Sequence, residues 1–226
     1  MEHWVLTQHS ITPPLQYSVY IIMIVAVVLS AGESSRMGRP KALLPVDGVR
    51  FIEKIVTALK STRVAEIIAV LGHDADEMRR QIGDLPVTMV VNPNYKQGQL
   101  SSLVAAINSI QSSKDSASVD GILVHLVDHP YINPDLVNLM IDRFHETKKL
   151  IVVPRHQGRR GHPVIFSSAL FAELLAAPLD QGAKTVVHAH RDETLEIDTE
   201  DEGVYHRYRH TRRVSTTCQR TINARN

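Results

Sequence analysis

Glycine, small hydroxyl residues and positive charge crowd into one stretch near the start of the chain, Leu29-Ser-Ala-Gly-Glu-Ser-Ser-Arg-Met-Gly-Arg-Pro-Lys-Ala-Leu-Leu-Pro45. Gly32 and Gly38 let main-chain amides approach a ligand closely, Ser34 and Ser35 add short donors, and Arg36 and Lys41 set cations beside them. A segment this dense in amides and cations suits a triphosphate. Its spacing is not the dinucleotide-binding Gly-x-Gly-x-x-Gly. It is not a Walker loop either, because two residues separate Gly38 from Lys41 and Ala42 stands where a metal-binding hydroxyl belongs. The plain alternative is a flexible turn with solvated charges, which its place directly behind an apolar run disfavours.

Asp128 is the second feature. It follows Ile122-Leu-Val-His-Leu-Val127, a position that core packing explains poorly and that suits a carboxylate holding magnesium at the end of a strand. Capping of the next turn is the competing role. The adjacent His129 can hydrogen-bond in a pocket or serve the structure alone. A third segment, Pro154-Arg-His-Gln-Gly-Arg-Arg-Gly-His-Pro163, is polar and cationic between apolar neighbours. Its His156, Arg159, Arg160, Gly161 and His162 form a loop able to close over a second, anionic substrate, or one that is merely solvated. In Asn92-Pro-Asn-Tyr-Lys-Gln-Gly-Gln-Leu-Ser-Ser102, the hydroxyls of Ser101 and Ser102 fall in the first turn of a helix, where they bind an anion or cap the helix. No nucleophile-elbow pattern and no His-Glu-x-x-His pair occurs, which argues against a hydrolase.

These segments need strands and helices to position them. The run Val19–Leu29 is β-branched and ends in a glycine-bearing turn, as a buried parallel strand does, and it is short of the roughly 20 residues a membrane-spanning helix needs. Apolar positions 51, 52, 55, 56 and 59 predict a helix over 50–61. Strands follow at 64–71, 87–91, 122–127 and 150–153, and helices at 74–81, 99–110, 135–145 and 168–177, with Asn133 and Pro134 as cap and first residue of the third. This alternation predicts an α/β fold, a doubly wound, mostly parallel sheet with helices on both faces, in which ligands bind beyond the carboxyl ends of the strands.

The composition narrows the partners. Twenty-five Lys and Arg balance 24 Asp and Glu, for a net charge of +1, so nothing draws the whole molecule to nucleic acid or to a membrane surface. The single cysteine, Cys218, excludes an internal disulfide framework and fits a cytoplasmic setting. Three regions are expected: residues 1–22 as an N-terminal extension, with Met23 a candidate start, 23–200 as the catalytic domain, and 201–226 as a basic tail, poorly packed from Gly203 onward.

The Leu29 to Pro45 segment resembles the signature loop of the molybdenum cofactor cytidylyltransferase and guanylyltransferase family of nucleoside triphosphate transferases. Gly98-Gln-Leu-Ser-Ser-Leu103, Leu126-Val-Asp-His-Pro130 and Gly158-Arg-Arg-Gly-His-Pro-Val164 resemble its cytidylyltransferase branch most, and the likeness covers about residues 23 to 200. It implies a Rossmann-like nucleotidyltransferase fold and transfer of CMP from CTP, with GTP as the alternative, to a molybdopterin cofactor with release of pyrophosphate. A molybdoenzyme or cofactor-delivery protein is an implied partner. By the same likeness Ala31 and Gly32 pack at the nucleotide, Arg36 and Lys41 hold its phosphates, Gly72, Gln97, Gly98, Ser101 and Ser102 lie near the base, and Asp128 binds Mg2+. The family's second metal-binding aspartate, in an Asp-Ile-Asp segment, falls near Arg207 and Arg209 in one register; Asp198 of Glu196-Ile-Asp198 replaces it in another. A sugar or alditol phosphate acceptor, or a binding protein without catalysis, are the competing readings.

Overall fold

A strand with no polar side chain must be covered on both faces, and the computed structural model places β1 (Met23–Leu29) in the middle of a sheet accordingly. Ile24, Ala26 and Val28 enter one core, while Val25 and Val27 enter the other. The structure describes residues 23–33, 40–113 and 118–205.

A small hairpin, β2 (Pro45–Val46) and β3 (Val49–Arg50), leads into α1 (Phe51–Lys60). Then come β4 (Glu66–Leu71), α2 (Ala75–Ile82), β5 (Thr88–Val91), α3 (Gln99–Gln111), β6 (Val119–Leu126) and α4 (Pro134–Thr147). The last third holds β7 (Ile151–His156), β8 (Arg159–Arg160), β9 (Val164–Ser167), α5 (Phe171–Ala176), α6 (Lys184–Ala189) and β10 (Thr194–Asp198). The main sheet runs β10-β7-β9-β6-β1-β4-β5, with β8 attached to β7. Neighbours are parallel except at β9, which is antiparallel to both β6 and β7, and at β8, antiparallel to β7. From β1 the chain moves outward to β4 and β5, then returns to lay β6 on the other side of β1. The crevice beyond the carboxyl ends of β4, β1 and β6 is therefore the point where the winding reverses.

Helices α1, α2 and α4 cover one face, and α3, α5 and α6 the other. The predicted stripe of α1 is the buried one: Phe51, Ile52, Ile55, Val56 and Leu59. The Asn133 side chain accepts the backbone N–H groups of Asp135 and Leu136, with Pro134 as the first helical residue of α4.

The α/β, mostly parallel architecture is as predicted, with three differences. Residues 154–160 are not an open loop: β7 continues to His156 and turns back as β8. Strands β9 and β10 and helix α6 were not among the predicted elements; the alternation of Leu195 and Ile197 with Glu196 and Asp198 is the signal for β10. Packing also extends past Gly203. Val204 is buried in the first core, its carbonyl accepts the His162 N–H at 2.6 Å, and its backbone lies against Gly161, where a side chain would collide with it. Residues 1–22 and 206–226, and with them Arg207 and Arg209, lie outside the described residues.

Candidate active site

Three consecutive strand ends build the floor of the cleft. After β1, the Ser30 N–H and hydroxyl both donate to the Val70 carbonyl of β4, at 3.1 and 2.7 Å, and the Val127 N–H donates to Leu29 at 3.2 Å. These bonds bring buried Ala31 and exposed Gly32 to the cleft at the ends of β4 and β6. The Ala31 carbonyl accepts the His73 N–H at 3.1 Å. Gly72 has no room for a side chain, because a Cβ there would lie 2.6 Å from the Ala31 oxygen.

Lys41 enters from a single 3-10 turn, Lys41–Leu43, anchored by buried Ala42. Its ammonium lies 3.4 Å from Asp128 Oδ2. Asp128 is 5% exposed, in the turn after β6. Together with Leu29, Ser30, Tyr95, Gly98, Gln99 and Ser102, these residues enclose a cleft of about 240 Å³. A cation and a carboxylate lining one cleft, beside the main chain of Ala31 and Gly32, can bind a polyphosphate and a hard cation together. Gly98 precedes α3 at φ +100°, a conformation that side chains rarely adopt, so the start of this helix is turned onto the cleft.

A second cavity, of about 470 Å³, adjoins the first and shares Leu29, Gly98, Gln99 and Leu126 with it. Its walls are mostly apolar, with Leu100, Leu103, Val124, Val164, Phe166, Leu179 and Val187, and His162, Asp180 and Lys184 supply polar groups. Lys184 and Leu179 come from the segment around α6, for which the sequence offered no chemical signal.

The predicted site residues divide between the cavities and the scaffold. Ala31, Gly32, Lys41, Gly98, Ser102 and Asp128 meet at the cleft. Gly72 supports it from behind, and exposed Gln97 lines neither cavity. Ser101 is occupied internally: its hydroxyl donates to the carbonyl of Gly98 or Asn94, at 2.8 and 3.0 Å, and the Asn92 amide donates to Ser101 and Ser102 at 2.8 and 3.0 Å. Arg36 lies outside the described residues. Of the proposed second-substrate group, His162 alone reaches the second cavity. His156 is buried, with Nδ1 2.9 Å from the Thr199 carbonyl, Arg159 lies over the Tyr205 ring, and Arg160 pairs with Glu196. Gly161 supports Val204.

Asp198 ends β10, with β7 and β9 standing between it and β6, and Arg155 grips its carboxylate through two bonds of 2.7 and 3.0 Å. That guanidinium holds the Asp198 carboxyl below the usual carboxylate range. No group of three or more His, Cys, Asp or Glu able to hold a metal occurs among the described residues. Magnesium commonly takes one or two carboxylates and completes its shell with substrate phosphates and water, so Asp128 beside a triphosphate fits that ion.

Beneath Asp128 the His125 imidazole is buried, which drives its pKa down to about 3, and Nε2 donates to the His129 carbonyl at 2.8 Å. This bond closes the turn that carries Asp128. The His129 ring stands edge-on to that of His162, 5.5 Å away.

Residues 26–194 match a family described as MobA-like NTP transferase domain. The chain is 28% identical over 201 residues to the molybdenum cofactor cytidylyltransferase of Escherichia coli K12, covering 82% of this chain and 96% of that protein. It is 26% identical over 160 residues to a probable molybdenum cofactor guanylyltransferase of Thermococcus sibiricus, covering 70% and 75%. The crystal structure of Rv0371c from Mycobacterium tuberculosis H37Rv superimposes with a TM-score of 0.68 at 28% identity, over 79% of this chain and 88% of that one. Cytidylyl- and guanylyltransferase relatives match comparably, so the likeness does not single out one branch. The doubly wound sheet, the cleft at its reversal point and the length of the match agree: this chain belongs to the MobA-like NTP transferase family and is a nucleotidyltransferase.

Proposed function

We propose that this enzyme transfers CMP from CTP to the terminal phosphate of a molybdopterin-type cofactor and releases pyrophosphate, in the cytoplasm. The observation that carries this reading is the pair of joined cavities. One holds the charged pair Lys41 and Asp128; the other is broader and more apolar, suited to the flat heteroaromatic body of a pterin better than to a polyol.

In the reaction an oxygen of the acceptor phosphate attacks the α-phosphorus of CTP. The new O–P bond forms as the bond to the β-phosphate oxygen breaks, and pyrophosphate leaves with that electron pair. No protein nucleophile is required. Two anionic partners must be brought together, so catalysis rests on positioning them and on charge that offsets theirs. Lys41, with Arg36 as its proposed companion, holds the phosphate chain. Ala31 and Gly32 present main-chain groups to the nucleotide, and Asp128 is the residue that would hold magnesium. Magnesium, when bound, shares the negative charge of the phosphate oxygens. His162 would face the acceptor from the second cavity. A molybdoenzyme or delivery protein then receives the product.

The test is a panel of acceptors, molybdopterin cofactor, sugar phosphates and alditol phosphates, each supplied with CTP or GTP and magnesium while pyrophosphate release is followed. Fastest turnover with the pterin and CTP is expected. Preference for a sugar phosphate would defeat the acceptor assignment. Nucleotide binding with no release for any acceptor would mark a binding protein.

A further inference from the structure

Tyr95 lines the cleft, and neighbours on several sides fix its ring. Its Cβ occupies the space in front of Gly72, where a side chain would meet it at 2.6 Å. Its phenol oxygen lies 3.3 Å from Nδ1 of His73, and the two rings stand 5.9 Å apart at 53°. His73 is itself held, by its N–H on the Ala31 carbonyl and by the Asp74 carboxylate 3.3 Å from Nε2. The turn that carries Tyr95 is tied down from the other side, since the Asn94 N–H donates to the Asn92 side chain at 2.9 Å. An aromatic ring with this many restraints, partly buried against the second core and lining the cleft, is a prepared surface.

Its position gives it an occupant. Asp128 follows β6 and Gly72 follows β4, with β1 and Ala31 between them. Two strand spacings separate those ends, about 10 Å, which matches the reach from a phosphate chain to the base of a nucleotide. With the phosphates at Lys41 and the sugar over Ala31 and Gly32, the base arrives at Gly72 and Tyr95. We propose that Tyr95 is the platform on which the base of the bound nucleoside triphosphate stacks. This inference rests on the nucleoside triphosphate reading of the cleft. Stacking uses the π-face that every base has, so Tyr95 supplies affinity for CTP and GTP alike and leaves the choice between them to hydrogen-bonding groups.

Isothermal titration of the full chain with CTP, GTP and inorganic tripolyphosphate, each with magnesium, separates the base from the phosphates. In Tyr95→Leu the Kd for CTP and for GTP should rise about five- to a hundredfold, while that for tripolyphosphate stays within about twofold of wild type. Tyr95→Phe keeps the ring and should stay within about threefold for all three. Unchanged CTP affinity in Tyr95→Leu overturns the proposal, and so does an equal loss for tripolyphosphate, since a displaced loop would explain that. If Tyr95→Leu does not fold, Tyr95→Trp in a Trp4→Phe background decides. Its fluorescence should be quenched by CTP and not by tripolyphosphate, and quenching by neither or by both overturns the platform. A wild-type chain that binds tripolyphosphate no more weakly than CTP refutes the stacking alone. One that binds neither defeats the triphosphate reading of the cleft and this inference with it.

Discussion

Replacing Asp128 with asparagine keeps the size and polarity of the side chain and removes its charge. The carboxylate is 5% exposed, with Lys41 at 3.4 Å. At an effective dielectric constant of about 20, two unit charges at that separation attract by about 5 kcal/mol. Burial of the carboxylate takes back several kcal/mol of this, and the lysine, a third exposed, recovers solvation when its partner is neutralised. Folding stability should therefore change by no more than about 1–2 kcal/mol in either direction. Turnover has no such compensation, because the charge acts on the triphosphate and its magnesium; the loss should be about 10²–10³ in rate, equivalent to about 3–4 kcal/mol. Urea unfolding gives the first quantity, and pyrophosphate release with CTP, magnesium and acceptor gives the second. An Asp128→Asn protein with undiminished magnesium-dependent turnover would refute the role of the carboxylate. So would a stability loss large enough to account for the lost activity.

Lys41→Ala should weaken tripolyphosphate binding as well as turnover, whereas Asp128→Asn should act mainly on the magnesium requirement; the same dependence on magnesium in both variants would contradict their separate roles. Gly161→Ala places a methyl group against the Val204 backbone and strains the bond from the His162 N–H, for a loss of about 1–3 kcal/mol by overpacking in denaturant melts. A loss under about 0.5 kcal/mol there would mean that Val204 does not pack as described. His125 sets an acid limit: burial holds it near pKa 3 in the folded protein, so below the ordinary value of 6.5 the unfolded chain binds a proton that the native one refuses. Stability should accordingly fall by about 1.4 kcal/mol for each pH unit below 6.5 from this group, and His125→Gln should flatten the slope by that amount. Parallel slopes for the two proteins in urea melts would show His125 not to be the group.

Sequence alone determined what depends on local pattern. Strand β1 was legible because a strand buried on both faces has to be apolar throughout. Helix α1 was legible because its five buried residues repeat with the helical period, and the start of α4 because Asn133 accepts free amides at that end and Pro134 has none to satisfy. Ala31, Gly98 and Asp128 could be named for the cleft because each stands just past a strand or in a turn leading to a helix, where ligands bind in such sheets, and Lys41 and Ser102 because they follow those turns closely in the chain.

Tertiary structure decided what depends on partners distant in the chain. β9 is four residues long and runs against its neighbours, an orientation that β6 and β7 impose on it. Arg160 reads as a substrate cation until β10 brings Glu196 to it from 36 residues away, and an arginine paired with a carboxylate offers less to an anion. His156 and His162 stand in the same segment and look alike in sequence, yet β7 turns the first toward Thr199 while the second lines a cavity. Tyr95 was an ordinary turn residue until the fold set its phenol beside His73, 22 positions earlier, at the cleft. Residue type and spacing report which groups are available for chemistry, but burial and charge pairing decide which of them still face the ligand, and both are set by strands that meet only after the chain has folded.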